Sequence, residues 1–234
     1  MAIARAAVDA GIATIVATPH VSSRHRNDSD TIARVTARTR ERLRDERIEL
    51  ELLPGAEIAL TQLAELDPGE LERLGLGGGP WLLVEPPFTT PATGLQSIVQ
   101  RLMREGHRVV LAHPERCPAF QREPRQLESL VNEGALTSVT AGSLVGRFGG
   151  GVRQFAVALL ESEMVHNVAS DAHDHERRAP GIAHELERAG YGNLCEWLAQ
   201  EVPAAILSGA EIPPRPATVP LRPRPRRASW RRRP

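Results

Sequence analysis

The feature that most constrains this chain is a repeated ending. Four short apolar runs give way to Pro or Gly beside a carboxylate or imidazole: Ala17-Thr18-Pro19-His20, Leu53-Pro54-Gly55-Ala56-Glu57, Val84-Glu85-Pro86-Pro87 and Ala112-His113-Pro114. A fifth run, His166 to Ala169, leads into Ser170-Asp171-Ala172-His173. Glu57, Glu85 and His113 are 28 residues apart in turn, His20 precedes Glu57 by 37, and Asp171 follows His113 by 58. That last step is about two repeats, with the ligand-free run Leu136 to Thr140 between. Helical periodicity fills the intervals, for example Leu95, Ile98, Val99, Leu102 and Met103, or Val152, Phe155, Ala156, Leu159 and Leu160. Alternating strands and helices call for parallel strands joined by right-handed crossovers. One candidate ligand per βα unit is the pattern of a barrel with its site on the C-terminal rim, whereas an open sheet concentrates its site at a switch point.

Element by element, residues 3–10 read as a helix stopped by Gly11, and Thr14 to Thr18 as a buried strand ending at Pro19-His20. Ser29 or Asp30 caps the next helix, which runs to Glu46; a strand over 48–53 follows, its end turned by Pro54 to Glu57. Residues 65–72 read as a polar connector and Gly77-Gly78-Gly79 as a break. Strands are expected over 81–84, 108–112, 136–140 and 166–169, and helices over 95–103, 127–131 and 152–160. A last helical region spans Ile182 to about Leu198. Residues 1–212 form one domain in this reading, and 213–234 a disordered Pro/Arg-rich tail that cannot build a core.

With 234 residues and 41% hydrophobic content, the chain can bury a substantial core. All 29 basic residues are arginines, and eight of them follow Pro213, which leaves residues 1–212 with 21 positive and 29 negative charges, a net of −8. An acidic body favours cations, and the basic tail offers weak contact with an anionic surface but no specific nucleic-acid signal. Cys117 and Cys195 fit no metal-ligand spacing and read as reduced thiols. No apolar stretch reaches the roughly 20 residues of a membrane span, and the N-terminus lacks a signal-peptide layout, so the expected location is cytoplasmic.

Mixed imidazole and carboxylate ligands without thiolate suit Mn²⁺, Fe²⁺ or Zn²⁺. Two such ions about 3.5–4 Å apart can bind the attacking and leaving oxygens of a phosphoryl displacement. Arg116, and Arg177 or Arg178, are placed to fork onto phosphate oxygens, which makes phosphate-ester hydrolysis the natural reaction class. Taken singly, each His-Pro or Glu-Pro is more often a turn residue; five in register resist that explanation. Asp171 and His173 are the strongest pair, since alternate residues of an extended strand point to one side. His25, His107, His166, His175 and His184 read as surface or packing residues. A cysteine phosphatase needs five residues between its thiolate and an arginine; Cys117 has four before Arg122, and Cys195 has no following Arg near that spacing.

These residues resemble the polymerase-and-histidinol-phosphatase (PHP) superfamily, and within it the bacterial manganese-dependent protein-tyrosine phosphatases of capsular and exopolysaccharide regulation. The carrying stretches are Ala17 to His20, Leu53 to Glu57, Leu83-Val84-Glu85, Ala112 to Arg116 and Ala169 to His173, with Ser143-Leu144-x-Gly146-x-Phe148-Gly149. The resemblance implies a distorted (β/α)7 barrel and a site of up to three Mn²⁺ ions, with Fe²⁺ or Zn²⁺ as alternatives. It matches His20, Glu57, Glu85, His113, Asp171 and His173 to metal ligands, and Arg116 and Arg178 to phosphate-binding arginines. The implied activity is hydrolysis of protein phosphotyrosine, and the implied partner a polysaccharide-assembly tyrosine kinase.

The family's Asp-x-His-x-His signature on its first strand is absent from this sequence. The expectation is therefore a barrel incomplete at the N-terminus, with one metal position weakened or empty and an open seam. The competing readings are another PHP phosphoesterase, acting on histidinol phosphate or a nucleotide, and a non-catalytic remnant that binds phosphotyrosine without turnover.

Overall fold

The computed structural model describes residues 1–89 and 94–217. Their strands pair in parallel throughout. A six-stranded ladder runs in the order β2 (His20–Val21), β4 (Glu57–Ala59), β5 (Trp81–Glu85), β6 (Arg108–Ala112), β7 (Leu136–Thr140), β8 (Asn167–Ala169). A separate two-stranded ladder joins β1 (Thr14–Ala17) to β3 (Glu51–Pro54). Among the described residues no ladder joins β8 to β1 or β2, in keeping with the open seam expected of an incomplete PHP-type barrel.

The break between the two ladders is written in the sequence. Pro19 has no N–H to give a ladder, and a side chain at Gly55 would place a Cβ 2.9 Å from Val16 Cγ1 and 3.2 Å from Leu76 Cδ2. Pro19-His20 and Pro54 to Glu57 were expected to end their strands; instead pairing resumes directly, with His20 opposite Glu57. The Glu57 N–H donates to the Pro19 carbonyl at 3.1 Å, which restarts the ladder one step past the proline. A proline costs one donor without reversing the chain, so both ligands sit on resumed strands rather than in turns.

Ile58, Val84 and Leu111 are fully buried register partners across β4, β5 and β6. Burying each such side chain contributes about 1.5–3 kcal/mol. Because side chains alternate along a strand, this row aims Glu57 and Glu85 together at the opposite face. Helix Leu95–Arg104 packs on β6 and on helix Pro124–Asn132, and helix Gly150–Glu161 packs on the short turn Pro114–Arg116. A second small cluster, Ala4, Leu43 and Ile48, supports the β1–β3 arm.

Local expectations fail in three places. The helix Ser29–Asp45 is capped by Asp28, whose Oδ1 accepts the Thr31 N–H at 2.7 Å. Ser29 is not free to cap, because its N–H and Oγ both donate to Glu70, each at 2.7 Å. The supposed connector holds the helix Pro68–Arg73, with Asp67 as its cap. The last helical region is not one helix: Ala183–Ala189 stops at Gly190 in the left-handed conformation (φ 87°), and the chain re-forms as a π-helix, Trp197–Glu201, continuing into Val202–Ser208. Trp197 Nε1 then donates to the Pro213 carbonyl at 3.0 Å, and Arg215 lies over the Trp197 ring. The rest of the expected tail, 218–234, lies outside the described residues. Among the described residues no helix is long and apolar enough to cross a membrane.

Candidate active site

The first residues of β2 and β4 and the C-terminal ends of β5 and β6 bring four of the predicted ligands into one nest. His20 Nδ1 lies 3.5 Å from Glu57 Oε1 and 3.7 Å from Glu85 Oε2. His113 Nε2 lies 3.1 Å from Glu57 Oε1 and 3.6 Å from Glu85 Oε1. One donor atom from each of His20, Glu57 and Glu85 falls within 4.8 Å of the others. Burial works to raise both carboxylates, yet their outcomes differ. Glu57 is held below the usual carboxylate range because its hydrogen bond to His113 and the charges of His113 and His20 outweigh burial. Glu85 is pushed up to about 7 by burial and by the neighbouring Glu57 charge. Burial depresses His113, but its bond and charge interaction with Glu57 override this and raise it.

These residues suit a divalent cation. Two imidazoles and two carboxylates are a donor set for Mn²⁺, Fe²⁺ or Zn²⁺. Burial beside the Glu57 charge favours a proton on Glu85, and a metal would take that proton's place.

Asp171 and His173 do not join this nest; they form a second cluster beside it. Asp171 Oδ2 accepts from Arg116 Nη1 at 2.9 Å and also from Arg178 Nη2. His173 Nδ1 is 3.5 Å from Asp171 Oδ1 and 3.0 Å from the Asp171 carbonyl. The two guanidiniums bring positive charge to Asp171 from within the chain. Of the two candidate arginines, Arg178 is the one turned inward and Arg177 is exposed. The loop is shaped by Asp174, whose Oδ1 accepts the backbone N–H groups of Glu176, Arg177 and Arg178, while the Arg178 carbonyl accepts the His173 N–H at 3.0 Å.

Arg116 couples the regions. It lies three residues after His113 on the same turn, its N–H bonded to the His113 carbonyl at 2.9 Å. His113 and Asp171 both have positive φ, 31° and 50°, a costly conformation for residues other than glycine and one that collects at functional sites.

Three residues here had no role in the sequence reading. Phe148 lies 4.4 Å from the Arg116 guanidinium carbon and 5.8 Å from that of Arg178. Phe88 stacks on the His113 ring at 5.3 Å. With only four Phe in the chain, an aromatic next to Pro-Pro or inside Gly-rich sequence was the available signal. Glu115 is completely buried, its Oε1 accepting from the Thr140 N–H at 3.0 Å and Ser143 Oγ at 2.7 Å. Burial raises its pKa despite those bonds. Only its place between His113 and Arg116 could have marked it. His25, read as a surface or packing residue, stacks on His20 at 5.4 Å, and half-buried His166 is lowered to about 4 by desolvation and then by the Arg215 charge.

Known proteins resemble this chain in sequence and in fold. Residues 1–193 match the family model for capsular polysaccharide synthesis, CpsB/CapC. The tyrosine-protein phosphatase YwqE of Bacillus subtilis is 36% identical over 176 residues, covering 75% of this chain and 69% of that protein. The tyrosine-protein phosphatase CpsB of Streptococcus pneumoniae is 27% identical over 192 residues, covering 78% of each. A crystal structure from work on YwqE and CpsB, described there as metal-dependent tyrosine phosphatases, superposes with a TM-score of 0.76 at 32% identity, covering 92% of this chain and 90% of that one. The chain therefore belongs to the CpsB/CapC family of capsular polysaccharide synthesis proteins.

Proposed function

We propose that this protein is a metal-dependent phosphatase that hydrolyses phosphotyrosine in proteins. The observation that carries the reading is the adjacency of a buried imidazole–carboxylate nest to two arginines converging on one carboxylate oxygen. His20, Glu57, Glu85 and His113 hold the metal, with Asp171 and His173 as further ligands and Mn²⁺ as the resident ion. The names of the relatives and the metal dependence described for YwqE and CpsB support this assignment.

A divalent ion at such a site supplies a bound water with a pKa lowered towards about 7. The chain's own contribution is positioning. Arg116 and Arg178 already point at one anionic oxygen, so a phosphoryl group replaces the Asp171 carboxylate as their partner and leaves that carboxylate to a cation. Phe148 packs against both guanidiniums and limits their freedom before substrate arrives. A tyrosine phenolate, of pKa about 10, leaves with less help from an acid than a serine alkoxide requires. The physiological substrate in this reading is a tyrosine kinase of polysaccharide assembly, met in the cytoplasm.

The test is hydrolysis of p-nitrophenyl phosphate and of a phosphotyrosine peptide by the full chain with Mn²⁺, before and after chelation. Turnover that chelation abolishes is the expected result. Absence of hydrolysis with Mn²⁺, Fe²⁺ and Zn²⁺ alike refutes the proposal.

A further inference from the structure

We infer that Phe88 is a specificity-determining residue, whose exposed ring is the wall against which the aryl group of a phosphoester packs. The inference rests on the phosphatase reading and assigns the part of the site that distinguishes an aryl ester from an alkyl one.

Among the described residues, the exposed large apolar side chains are Val8, Val35 and Phe88. Val8 and Val35 lie on helices away from the site, where single exposed apolar residues are ordinary. Phe88 instead stands over the functional groups with 45% of its surface open. Its ring is nearly parallel to His113 (18°), and the Arg116 guanidinium carbon lies 4.9 Å from its centre. The position is held firmly: Pro86 and Pro87 fix the approach, Pro86 is buried, and the Pro87 carbonyl accepts from Cys117 Sγ at 3.5 Å.

Two phenylalanines touch Arg116, and their surroundings separate their roles. Phe148 contacts both arginines and is partly buried, so it serves as their platform. Phe88 touches Arg116 alone of the two and keeps a free surface beside it. Aromatic rings attract one another at centroid separations of about 4.5–7 Å. An ester whose phosphoryl group is held by Arg116 carries its first substituent into that range of Phe88. A phenyl ring there covers the open surface; the methylene of a phosphoserine is too small to do so.

The experiment compares phenylphosphonate with methylphosphonate, neither of which is hydrolysed, by calorimetric titration of the full chain with Mn²⁺. The wild type binds the phenyl compound the more tightly. Phe88→Ala reduces that preference about fivefold, the size expected for losing one aromatic pair, and leaves methylphosphonate within about twofold of its wild-type affinity. Phe88→Trp restores the preference, and Phe88→Leu, which keeps bulk without a ring face, restores only part of it. Equal binding of both compounds by the wild type overturns the inference, as does binding of neither. An equal loss for both in Phe88→Ala also overturns it, because Phe88 would then only position Arg116. Should phenylphosphonate preference and its dependence on Phe88 hold while no phosphoester is hydrolysed, the phosphatase reading fails and the role of Phe88 stands.

Discussion

The nest and the Asp171 cluster lie side by side and solve opposite electrostatic problems. Glu57 and Glu85 project from paired strands, with side chains only 9% and 15% exposed, so two like charges are forced together in a poor solvent. Their relief within the chain is incomplete: two imidazoles and a proton retained on Glu85. In the cluster, the single carboxylate of Asp171 faces two guanidiniums on turns, which leaves an excess of one positive charge. A site with unrelieved negative charge recruits a cation, whereas a pair of arginines satisfied by an internal carboxylate can exchange it for an external anion. The two halves of a metal-dependent phosphoryl transfer site are thus separable by charge.

Removing one member from each region tests that separation most severely. Glu57→Ala should lose bound Mn²⁺ by elemental analysis and lower kcat/KM by about a thousandfold or more, since metal stabilisation of the transition state is worth several kcal/mol. Arg116→Ala should keep its metal but lose about a hundredfold in kcat/KM, as expected for one preorganised charge donor. Equal metal loss in both variants would merge the two regions into one.

Glu115 lies beneath the seam between them, and the next largest effect belongs to stability. Glu115→Ala removes the acceptor of the Thr140 N–H and the Ser143 hydroxyl and should lower the unfolding free energy in urea by about 2–4 kcal/mol. Glu115→Gln keeps an acceptor oxygen and should cost less than half as much. A neutral alanine variant would show that the turn carrying Arg116 is held by something else.

Acidity distinguishes the regions more gently. The folded Glu85 carboxyl holds its proton up to about pH 7, against an ordinary 4.5, so between these pH values the folded state binds more protons than the unfolded one. Stability of the metal-free protein should therefore fall as pH rises through that window. His113, also raised, adds a decline in the same direction above its ordinary 6.5, while the lowered Glu57 stabilises the fold above 4.5 and loses that effect only in more acidic solution. Melting temperatures across pH 4.5–7 should slope downwards in the wild type and flatten in Glu85→Gln, and Mn²⁺ affinity should rise with pH over the same interval. A flat wild-type profile would remove the carboxylate conflict from the comparison.

The smallest effect lies outside both regions. Arg5 and Glu46 form an exposed ion pair, and Arg5→Ala should change stability by less than about 1 kcal/mol with metal and phosphonate affinities unmoved. A larger change in metal affinity would mean that the β1–β3 arm couples to the nest.

Much of this site is legible in the sequence because parallel βα units impose a spacing. A side chain at the end of each strand must reach a common rim, so His20, Glu57, Glu85 and His113 could be selected by interval and neighbouring proline alone. The alternation of strand and helix, and the hydroxyl-bearing strand Leu136–Thr140 without a ligand, are set by the same local rules. What local rules do not carry is partnership between distant turns. That Asp171 faces Arg116 and Arg178, that Arg178 rather than Arg177 turns inward, and that Ser29 is claimed by Glu70 depend on contacts made only after the chain has folded. The protonation of Glu85 belongs to the same class, because it follows from burial beside Glu57 and not from the identity of either residue. Sequence by itself determined which chemical groups come to the rim, through strand periodicity and backbone restriction. Tertiary structure decided how those groups divide into a cation-seeking nest and an anion site with an excess of positive charge, because charge balance in a buried place is set by neighbours that sequence does not order.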